Sequence, residues 1–435
     1  MDSLWILVMT TAVFLAAIIL YRNNSRLRGL RSFHTSPVTL PLGSLGLPFI
    51  GETIEFITCA YSDRPETFMN KRRRMYGKVF KSHIFGSPTI VSTDAEVSKV
   101  ILQSDAKVFV PSYPKSLTEL MGKSSILLIN GSLQKRIHGL VGAFFKSPLL
   151  KAQITRDMQK YVLESMANWS SDRPIYIQDE TKNAKKKMVK LVKKIIQHRK
   201  NSEISKVPSD VIDVLLNDSS GQLTEDLIAD NMIDMMIPGE DSVPVLLTLA
   251  VKYLSDCPAA LQHLMEENMK LKRLKEQLGE PLCWSDYFSL PFTQTVITET
   301  LRMGNVIVGV MRKAMRDVEI KGHLIPKGWC AFAYFRSVHL DESNYDWPYE
   351  FNPWRWQGHF GNSQEKDTSN CNFTPFGGGQ RLCPGLDLAR LEASIFLHHF
   401  VTQFRWVAEE DTIVNFPTVR MKSRMPIWVK RTGDP

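Results

Sequence analysis

Cysteine is scarce in this chain, which has six among 435 residues, and no two of them form a Cys-x-x-Cys pair. They are Cys59, Cys257, Cys283, Cys330, Cys371 and Cys383. A disulfide-stabilised scaffold needs a dense set of cysteines, and a structural zinc site needs closely paired ones. Both classes are therefore excluded, and the scattered thiols indicate a protein of a reducing compartment.

The chain also lacks any nucleic-acid-binding motif, although its net charge is +9 and its isoelectric point is near 9.1. We therefore expect no nucleic-acid partner, and the positive charge indicates contact with anionic lipid or with an acidic protein. The hydrophobic content of 43% is that of a globular protein. The length is enough for one large domain or for two or three ordinary ones.

Charge is absent from Leu4 to Tyr21, a run of 18 residues. As a helix this run spans about 27 Å, enough to cross a thin membrane such as that of the endoplasmic reticulum. Asp2 precedes the run, and arginines at positions 22, 26, 28 and 31 follow it. The positive-inside rule then places the following domain in the cytosol. A cleaved signal peptide is the alternative, but the charges come in the wrong order for one.

Prolines and glycines between Pro37 and Pro48 predict a stiff, extended hinge. The predicted organisation is a transmembrane anchor at 1–21, a basic and proline-rich linker at 22–48, and one domain at 49–435.

Hydrophobic periodicity predicts most of the domain's elements. Helices are predicted at Leu133–Phe145, Gln153–Trp169, 184–200, Leu223–Leu254, Pro258–Gln277, Phe292–Met303 and Leu386–Phe404. A hairpin is predicted at Val79–Ser92, paired strands at Val318–Ala333, and final strands at Val414–Lys430. The lysine-rich helix at 184–200 is a solvated surface helix or, alternatively, a membrane-contacting one.

One cysteine ends a glycine-rich stretch, Phe376 to Gly385, directly before the last predicted helix. A helix N-terminus offers unpaired backbone N–H groups and a positive dipole end, which favour the thiolate of Cys383. The glycines let the backbone approach a flat ligand, and Arg381 is well placed to meet an anion. A thiolate under a flat cofactor describes the proximal side of a haem-thiolate site. A buried structural cysteine after a glycine turn is the alternative.

The complete pattern Phe-x-x-Gly-x-Arg-x-Cys-x-Gly lies at Phe376, Gly379, Arg381, Cys383 and Gly385. It resembles the haem-binding signature of the cytochrome P-450 monooxygenases. The resemblance implies a mainly α fold with small β sheets, behind the membrane anchor, and it implies that these residues bind haem with Cys383 on the iron. The implied reaction takes one atom of dioxygen into a C–H bond. Because no dinucleotide- or flavin-binding segment is visible, a separate NADPH-dependent reductase is implied as electron donor.

A stretch from Pro238 to Pro244 is predicted to interrupt the long apolar helix, since proline and glycine open the helical hydrogen-bond ladder. Within it lie Glu240, Asp241 and Ser242. An acid pair and a hydroxyl in such an opening can hold water and pass protons to bound dioxygen. The stretch resembles the family's oxygen-activation motif, with Ser242 in place of its threonine.

Two further motifs gain meaning from the resemblance. Glu299 and Arg302 lie three apart on one predicted helix face and can pair, which alone indicates an ordinary salt bridge. The family joins such a pair to a second arginine, here Arg355, in a triad that locks the core around the haem. Arg312 stands where family members often contact a haem propionate.

Many family members also reach a propionate with a tryptophan and an arginine on the helix predicted near residue 133. This chain has no tryptophan there. Lys135, Arg136 and His138 are the candidate cations, and a solvated helix face is the alternative for each.

The span between His138 and Ser242 is about 100 residues, markedly shorter than in the family. The flanking sequence matches well, so a skipped exon between about Asn183 and Ala184 is the simplest interpretation. The absent helices would include two that roof the substrate cavity, which puts the activity of this form in doubt.

Finally, the chain resembles the plant subgroup that hydroxylates steroids in brassinosteroid synthesis, notably at side-chain carbon 23. The resemblance implies a steroid substrate held in an apolar pocket. Candidate lining residues are Leu127, Ile129, Val306, Ile307, Val308 and Val310, with a plain core role as the alternative. Two other functions stay open: an inactive or regulatory splice form, and a haem-thiolate isomerase or dehydratase.

Overall fold

The computed structural model describes residues 38–48, 50–62, 64–104, 106–113, 125–180, 215, 223, 225–357, 371–416 and 418–432; along 225–240 it describes the side chains of Leu227 and Asn231 alone. The predicted membrane anchor, most of the basic linker and the predicted helix at 184–200 lie outside these residues. Among the described residues, no single helix has the length and apolar composition of a membrane span. The helices Asp241–Asp256 and Pro258–Leu278 reach that length and composition only when taken as a pair, and the chain bends by 114° between them.

Helices dominate the described residues, and small sheets accompany them. The main helices are α1 Thr53–Tyr61, α2 Thr67–Tyr76, α3 Ala95–Gln103, α4 Gly131–Lys146, α5 Pro148–Ala167, α6 Glu225–Asp256, α7 Pro258–Leu278, α8 Trp284–Phe288, α9 Pro291–Gly304, α10 Phe335–His339 and α11 Leu386–Gln403. The strands are β1 Val79–Ile84, β2 Ser87–Ser92, β3 Phe109–Pro111, β4 Ile175–Tyr176, β5 Gly309–Ala314, β6 Val318–Ile320, β7 His323–Ile325, β8 Cys330–Tyr334, β9 Phe404–Ala408, β10 Ile413–Val414, β11 Arg420–Met421 and β12 Pro426–Arg431. The predicted helices and the predicted hairpin that fall within the described residues are thereby confirmed, to within a few residues at their ends.

The chain forms two compact units, and the first comprises Met1–Pro114 and Val310–Tyr334. Its sheet has five strands in the order β1-β2-β8-β5-β3. The β1–β2 hairpin turns at Phe85 and Gly86, which both have positive φ, as the tight hairpin turn of this hand requires. Strand β8 is buried at every residue and runs parallel to β2. It therefore belongs to this sheet, whereas β6 and β7 form a separate two-stranded sheet, with an isolated bridge from His323 to Thr39.

The second unit comprises Lys115–Gly309 and Phe335–Pro435 and contains the cysteine loop. Its main core lies among α5, α6, α7, α9 and α11, together with the sheet β4-β12-β9. Helix α9 begins with Pro291, which is tolerated at a first helical position, and nearly every later residue is buried. Several of those residues are polar, and their hydroxyls bond carbonyls within the helix, as Thr298 and Thr300 do. This buried helix carries Glu299 and Arg302 into the centre of the unit.

Helix α6 corrects the prediction of an interrupted helix. It continues from Glu225 to Asp256 through both Pro238 and Pro244. A proline ring fits the helical φ but removes one backbone hydrogen bond, so surrounding packing must hold such a helix together. The run from Val243 to Leu254 supplies that packing, because most of it lies in the main core. The prolines therefore leave the helical path intact, and no opening separates the acids from the core-facing turns.

Candidate functional site

The cysteine loop, residues 376–385, closes on itself by one backbone hydrogen bond. The Cys383 N–H donates to the Phe376 carbonyl at 3.0 Å, and a short 3-10 helix at Gly379–Arg381 fills the loop. Gly377 and Gly379 take φ values of 76° and 63°, a left-handed backbone conformation that favours glycine. Three residues after the cysteine, α11 begins at Leu386. The predicted placement of Cys383 just before a helix is confirmed.

The Cys383 thiol is accessible to solvent, yet enough protein surrounds it for burial to act on it. Burial raises the pKa of the Cys383 thiol, while the Gly385 backbone N–H, bonded to the sulfur, lowers it. The backbone N–H near the helix terminus therefore acts toward thiolate, as expected, while desolvation acts against it and is the larger effect. A bound metal cation deprotonates a coordinating thiol outright.

The Arg381 side chain ties the loop to a neighbouring segment. Its guanidinium donates to the carbonyls of Ile126 at 3.2 Å and Ile129 at 2.5 Å, and to Asn130 Oδ1 at 2.7 Å. The sequence analysis placed Arg381 to meet an anion. In the structure these donors hold the segment before α4 against the cysteine loop.

Helix α4 contacts the same loop one turn further on. Gln134 Nε2 donates to the Gln380 carbonyl at 3.2 Å, and His138 Nε2 lies 2.6 Å from the Leu382 carbonyl. Because a carbonyl accepts, His138 donates from Nε2 to the loop. Its predicted contact with a propionate stays a prediction. Lys135 and Arg136 are exposed on another face of the helix, as a solvated face would be. Gln134 was not predicted, although its spacing of four from His138 places both on one helix face.

The Glu299–Arg302–Arg355 triad is formed as predicted. Arg302 binds the Glu299 carboxylate with two parallel bonds, Nε to Oε2 at 2.9 Å and Nη2 to Oε1 at 2.8 Å. Arg355 Nε adds a third bond to Oε1 at 3.0 Å, and the Trp356 indole a fourth to Oε2 at 2.8 Å. Glu299 and Arg302 are fully buried, so the network satisfies charges that water cannot reach. The tryptophan was missed, since an indole next to an arginine has no sequence signature of its own.

Comparisons with known proteins agree with this geometry. Residues 153–426 match the family model Cytochrome P450. The chain is 62% identical to 3-epi-6-deoxocathasterone 23-monooxygenase CYP90D1 of Arabidopsis thaliana, across 90% of this chain and 89% of that protein. It is 50% identical to the 23-monooxygenase CYP90C1 of the same plant, across 91% and 85%.

The chain belongs to the cytochrome P450 family.

A solved structure, retinoic acid bound cyanobacterial CYP120A1, has a TM-score of 0.77 and covers 91% of this chain and 100% of its own. At 20% identity that likeness shows the fold, which is therefore the helix-rich P450 fold with small sheets. As a P450, the protein is a monooxygenase whose cofactor is haem.

The cysteine loop fits the haem of a P450. Among the described residues, no group of three His, Cys, Asp or Glu side chains could hold a metal ion. A porphyrin supplies four ligands itself, so the single accessible sulfur of Cys383 suffices. A Cβ on Gly385 would lie 3.9 Å from that sulfur, an ordinary contact, so the protein itself does not require glycine there. Glycine at 385 instead leaves room beside the sulfur for a flat ligand.

The predicted proton-delivery residues lie on α6 with different exposures. Asp241 is exposed, Ser242 is half-buried, and the Glu240 side chain lies outside the described residues. Next to them, Val243, Pro244 and Leu247 line a cavity of about 30 Å³, room for about one water molecule. Residues of α5 and α11 form most of its other walls, and Trp169 and Glu180 complete them. The role of these three residues stays a prediction.

Arg312 lies in the first unit, on β5, and is buried with 6% of its surface exposed. Its Nη1 donates to the carbonyl of its neighbour Met311 at 3.2 Å. Among the described residues it forms an ion pair with no carboxylate. A buried guanidinium is costly without an anion, so its environment is consistent with the predicted propionate contact, which stays a prediction.

Of the predicted pocket-lining residues in the second unit, Val306 and Val308 pack against the main core. Leu127 and Ile129 pack in a second apolar cluster, while Ile307 is exposed. A plain core role therefore accounts for Val306 and Val308 in this structure.

Proposed function

We propose that this P450 hydroxylates a steroid side chain, at carbon 23 or nearby, in brassinosteroid biosynthesis. The observation that carries the proposal is the 62% identity to the Arabidopsis 23-monooxygenase over nine-tenths of the chain. A second 23-monooxygenase at 50% identity supports the same substrate class. A more distant relative, 39% identical to this chain, is named 3beta,22alpha-dihydroxysteroid 3-dehydrogenase. Its name indicates a steroid substrate but a different reaction.

In this proposal the Cys383 sulfur would hold the haem by its iron. Bound haem would supply the oxygen-activating chemistry of the hydroxylation. The chain's own residues position that sulfur: the Gly385 N–H bonds it, and Arg381, Gln134 and His138 fix the backbone around it. Glu299 and its two arginines hold the helix and loop that support this arrangement.

We propose further that Ser242 and the neighbouring acids deliver protons during turnover. The exposed Asp241 lies beside the half-buried Ser242, so this turn of α6 reaches from solvent toward the interior. Adjacent side chains on a continuous helix point about 100° apart. A direct transfer between the two therefore requires an intervening water or a local opening of the helix.

The proposed setting is the endoplasmic reticulum membrane, with a single span at residues 1–21 and the catalytic domain in the cytosol. The uncharged run and the arginines after it support this orientation. A separate NADPH-dependent reductase is the proposed electron donor, because the sequence shows no nucleotide- or flavin-binding segment of its own.

The proposed internal gap near residues 183–184 supports an alternative, an inactive or regulatory shortened form. The alignment with the Arabidopsis 23-monooxygenase spans 446 positions, more than the 435 residues of this chain. It must therefore include positions at which this chain has no residue. Such a form would bind haem poorly, or would bind partners without turnover.

One experiment decides between these functions. The full chain would be expressed with a plant NADPH-dependent reductase and given brassinosteroid precursors that lack the 23-hydroxyl. We expect a thiolate-type carbon monoxide difference spectrum and a 23-hydroxylated product. A thiolate spectrum without any hydroxylated steroid would favour the inactive form, and a rearranged or dehydrated product formed without reductase would favour an isomerase or dehydratase.

The Cys383→Ser variant tests the iron ligand in the same assay. We expect it to lose both the thiolate-type spectrum and turnover, because a serine oxygen cannot replace the sulfur. Cys371→Ser is the matched control, since Cys371 is a half-buried free cysteine on the segment leading into the loop. A thiolate-type spectrum in the Cys383 variant would contradict the assignment.

A further inference from the structure

A fully buried histidine connects the triad helix to the cysteine loop. His339 ends α10, and both of its ring nitrogens have partners. Its Nδ1 lies 2.7 Å from Asn305 Oδ1, and its Nε2 lies 3.0 Å from the Thr374 backbone nitrogen. Its own carbonyl accepts a bond from Arg302 Nη1 at 2.9 Å. The residue therefore contacts the triad through its backbone and, through its side chain, the segment that leads into the loop.

The partners of this ring fix its tautomer. A backbone N–H can only donate, so Nε2 accepts from Thr374 and the ring proton is on Nδ1. That proton is donated to Asn305 Oδ1, and the orientation of this amide is set because Asn305 Nδ2 donates to the Arg302 carbonyl at 2.7 Å. Burial, with Arg302 and Arg336 nearby, lowers the pKa of His339 to about 3. The ring is thus neutral, and it has one donor and one acceptor in fixed places.

Both ends of this connection are rigid. Asn305 caps the C-terminus of α9 in a left-handed conformation with φ 44°, and 2% of its surface is exposed. The Phe335 and Phe373 rings lie beside the imidazole, with centroids 6.3 and 5.5 Å away. The ring is held between them and has little freedom to rotate.

Thr374 lies two residues before the cysteine loop. Its carbonyl accepts from the Gly377 N–H at 3.0 Å, which forms the first turn of the loop. Two residues after Thr374, the Phe376 carbonyl accepts the Cys383 N–H. A shift of Thr374 would therefore carry the Phe376 carbonyl, and with it the cysteine backbone, out of place.

We propose that His339 is a positioning residue for the haem ligand: by accepting the Thr374 N–H it sets the start of the cysteine loop and so the place of the Cys383 sulfur. The proposal rests on Cys383 being the iron ligand. His339 does not touch the reacting atoms, and it acts through the backbone between Thr374 and Cys383.

A matched pair of substitutions separates the two ends of the ring. In His339→Gln the longer side chain puts an amide oxygen at the reach of Nε2, so the Thr374 N–H keeps an acceptor. In His339→Asn the amide lies at the reach of Nδ1, so the contact with Asn305 is kept and the Thr374 N–H loses its partner. The two variants remove the same ring but keep opposite bonds.

Two measurements, deuterium exchange of the Thr374 amide and the carbon monoxide difference spectrum, report on the structure of the loop and not on turnover. In haem-loaded full-length protein, we expect the Thr374 amide to exchange with deuterium roughly tenfold faster in His339→Asn than in wild type, as expected for one lost hydrogen bond. We expect its thiolate-type carbon monoxide band to convert in large part to the band of a lost or protonated thiolate. His339→Gln should keep the wild-type band and an exchange rate near that of wild type.

Equal spectra and equal Thr374 exchange in His339→Asn and wild type would overturn the proposal, as would greater damage from Gln than from Asn. If His339→Asn does not fold, Asn305→Gly takes its place. That variant keeps the left-handed backbone and removes the acceptor that fixes the ring tautomer, so faster Thr374 exchange is expected and unchanged exchange overturns the proposal. A wild-type protein without a thiolate band would instead refute Cys383 as the ligand, so the two failures are distinguishable.

Discussion

At the scale of single residues, polar side chains that are buried or half-buried hold the cysteine loop in place. Arg381, Gln134 and His138 all bond backbone carbonyls, and His339 accepts a backbone N–H. The sequence pointed to the charged and catalytic types among them, but only the structure shows that their partners are main-chain groups. A glutamine or histidine that binds a main-chain group has no partner residue type to reveal it in a sequence.

Ser242→Ala is expected to divert reducing equivalents to peroxide while haem binding is kept. The physical reason is that the variant loses a half-buried hydroxyl that would donate protons, without removing any contact to the loop. The measurement compares NADPH consumed with hydroxylated product formed. Asp256→Asn, at the far end of α6 and paired with Lys252 in solvent, is the control and should leave coupling unchanged. Unchanged coupling in Ser242→Ala would place the proton path elsewhere.

Buried histidines predict how the protein responds to acid. Burial is the main cause that lowers the pKa of His339 and His398 to about 3 and that of His399 to about 4, from the usual 6.5. In the unfolded chain these rings bind protons that the folded protein excludes. The free energy of unfolding should therefore fall as pH drops from about 6.5 toward 4, by up to about 1.4 kcal/mol per pH unit for each group.

Chemical denaturation across that pH range measures the effect, with His399→Gln as the matched variant. His399 Nε2 lies 3.3 Å from the Tyr287 hydroxyl, a contact that a glutamine amide can retain. The variant should lose stability less steeply on acidification. An equally steep loss would mean that His399 is not the source of the effect.

At the scale of elements, the amphipathic helices and the hairpin could be predicted from periodicity because one face of each is buried. Helix α6 was misjudged at its prolines, since local chemistry predicts a break and the tertiary packing of Val243 to Leu254 holds the helix continuous. The partner of strand β8 could not be predicted for a related reason. Its parallel pairing with β2 joins residues that are far apart in sequence, which no local pattern encodes.

Glu299→Ala is expected to give unstable protein that retains little haem. Arg302 would be left fully buried without its carboxylate, and breaking a buried pair costs on the order of 3–5 kcal/mol. That is enough to unfold a protein of ordinary stability. Thermal unfolding and the haem-to-protein ratio are the measurements.

The control for this prediction is Glu276→Ala on α7, which removes an exposed helical pair with Lys272 at 4.0 Å. Such a pair contributes about 0.2–0.5 kcal/mol, so melting temperature and haem content should stay close to wild type. A Glu299→Ala protein that is folded, loaded with haem and merely slow would assign the triad a role in chemistry.

At the scale of the whole molecule, the proposed internal gap bears on two parts of the second unit in different ways. The C-terminal half of α6 is well covered, since most of Val243 to Leu254 lies in the main core. A missing internal segment would therefore leave this half of the helix covered. Around α4, however, a small second cluster is centred on Ile137 and Val141, and Leu140, Phe144 and Phe145 at its margin are only partly buried.

Partly covered apolar residues of this kind reduce stability and attract other surfaces. Inserting the corresponding stretch of the Arabidopsis 23-monooxygenase between Asn183 and Ala184 should therefore raise both the melting temperature and the rate of steroid hydroxylation. Both forms would be expressed with the same reductase and given the same brassinosteroid precursors. An insertion of equal length made of glycine and serine is the control, because it restores chain length without apolar cover. Equal rates and equal melting temperatures in the present and restored forms would show that the present helices close the pocket unaided.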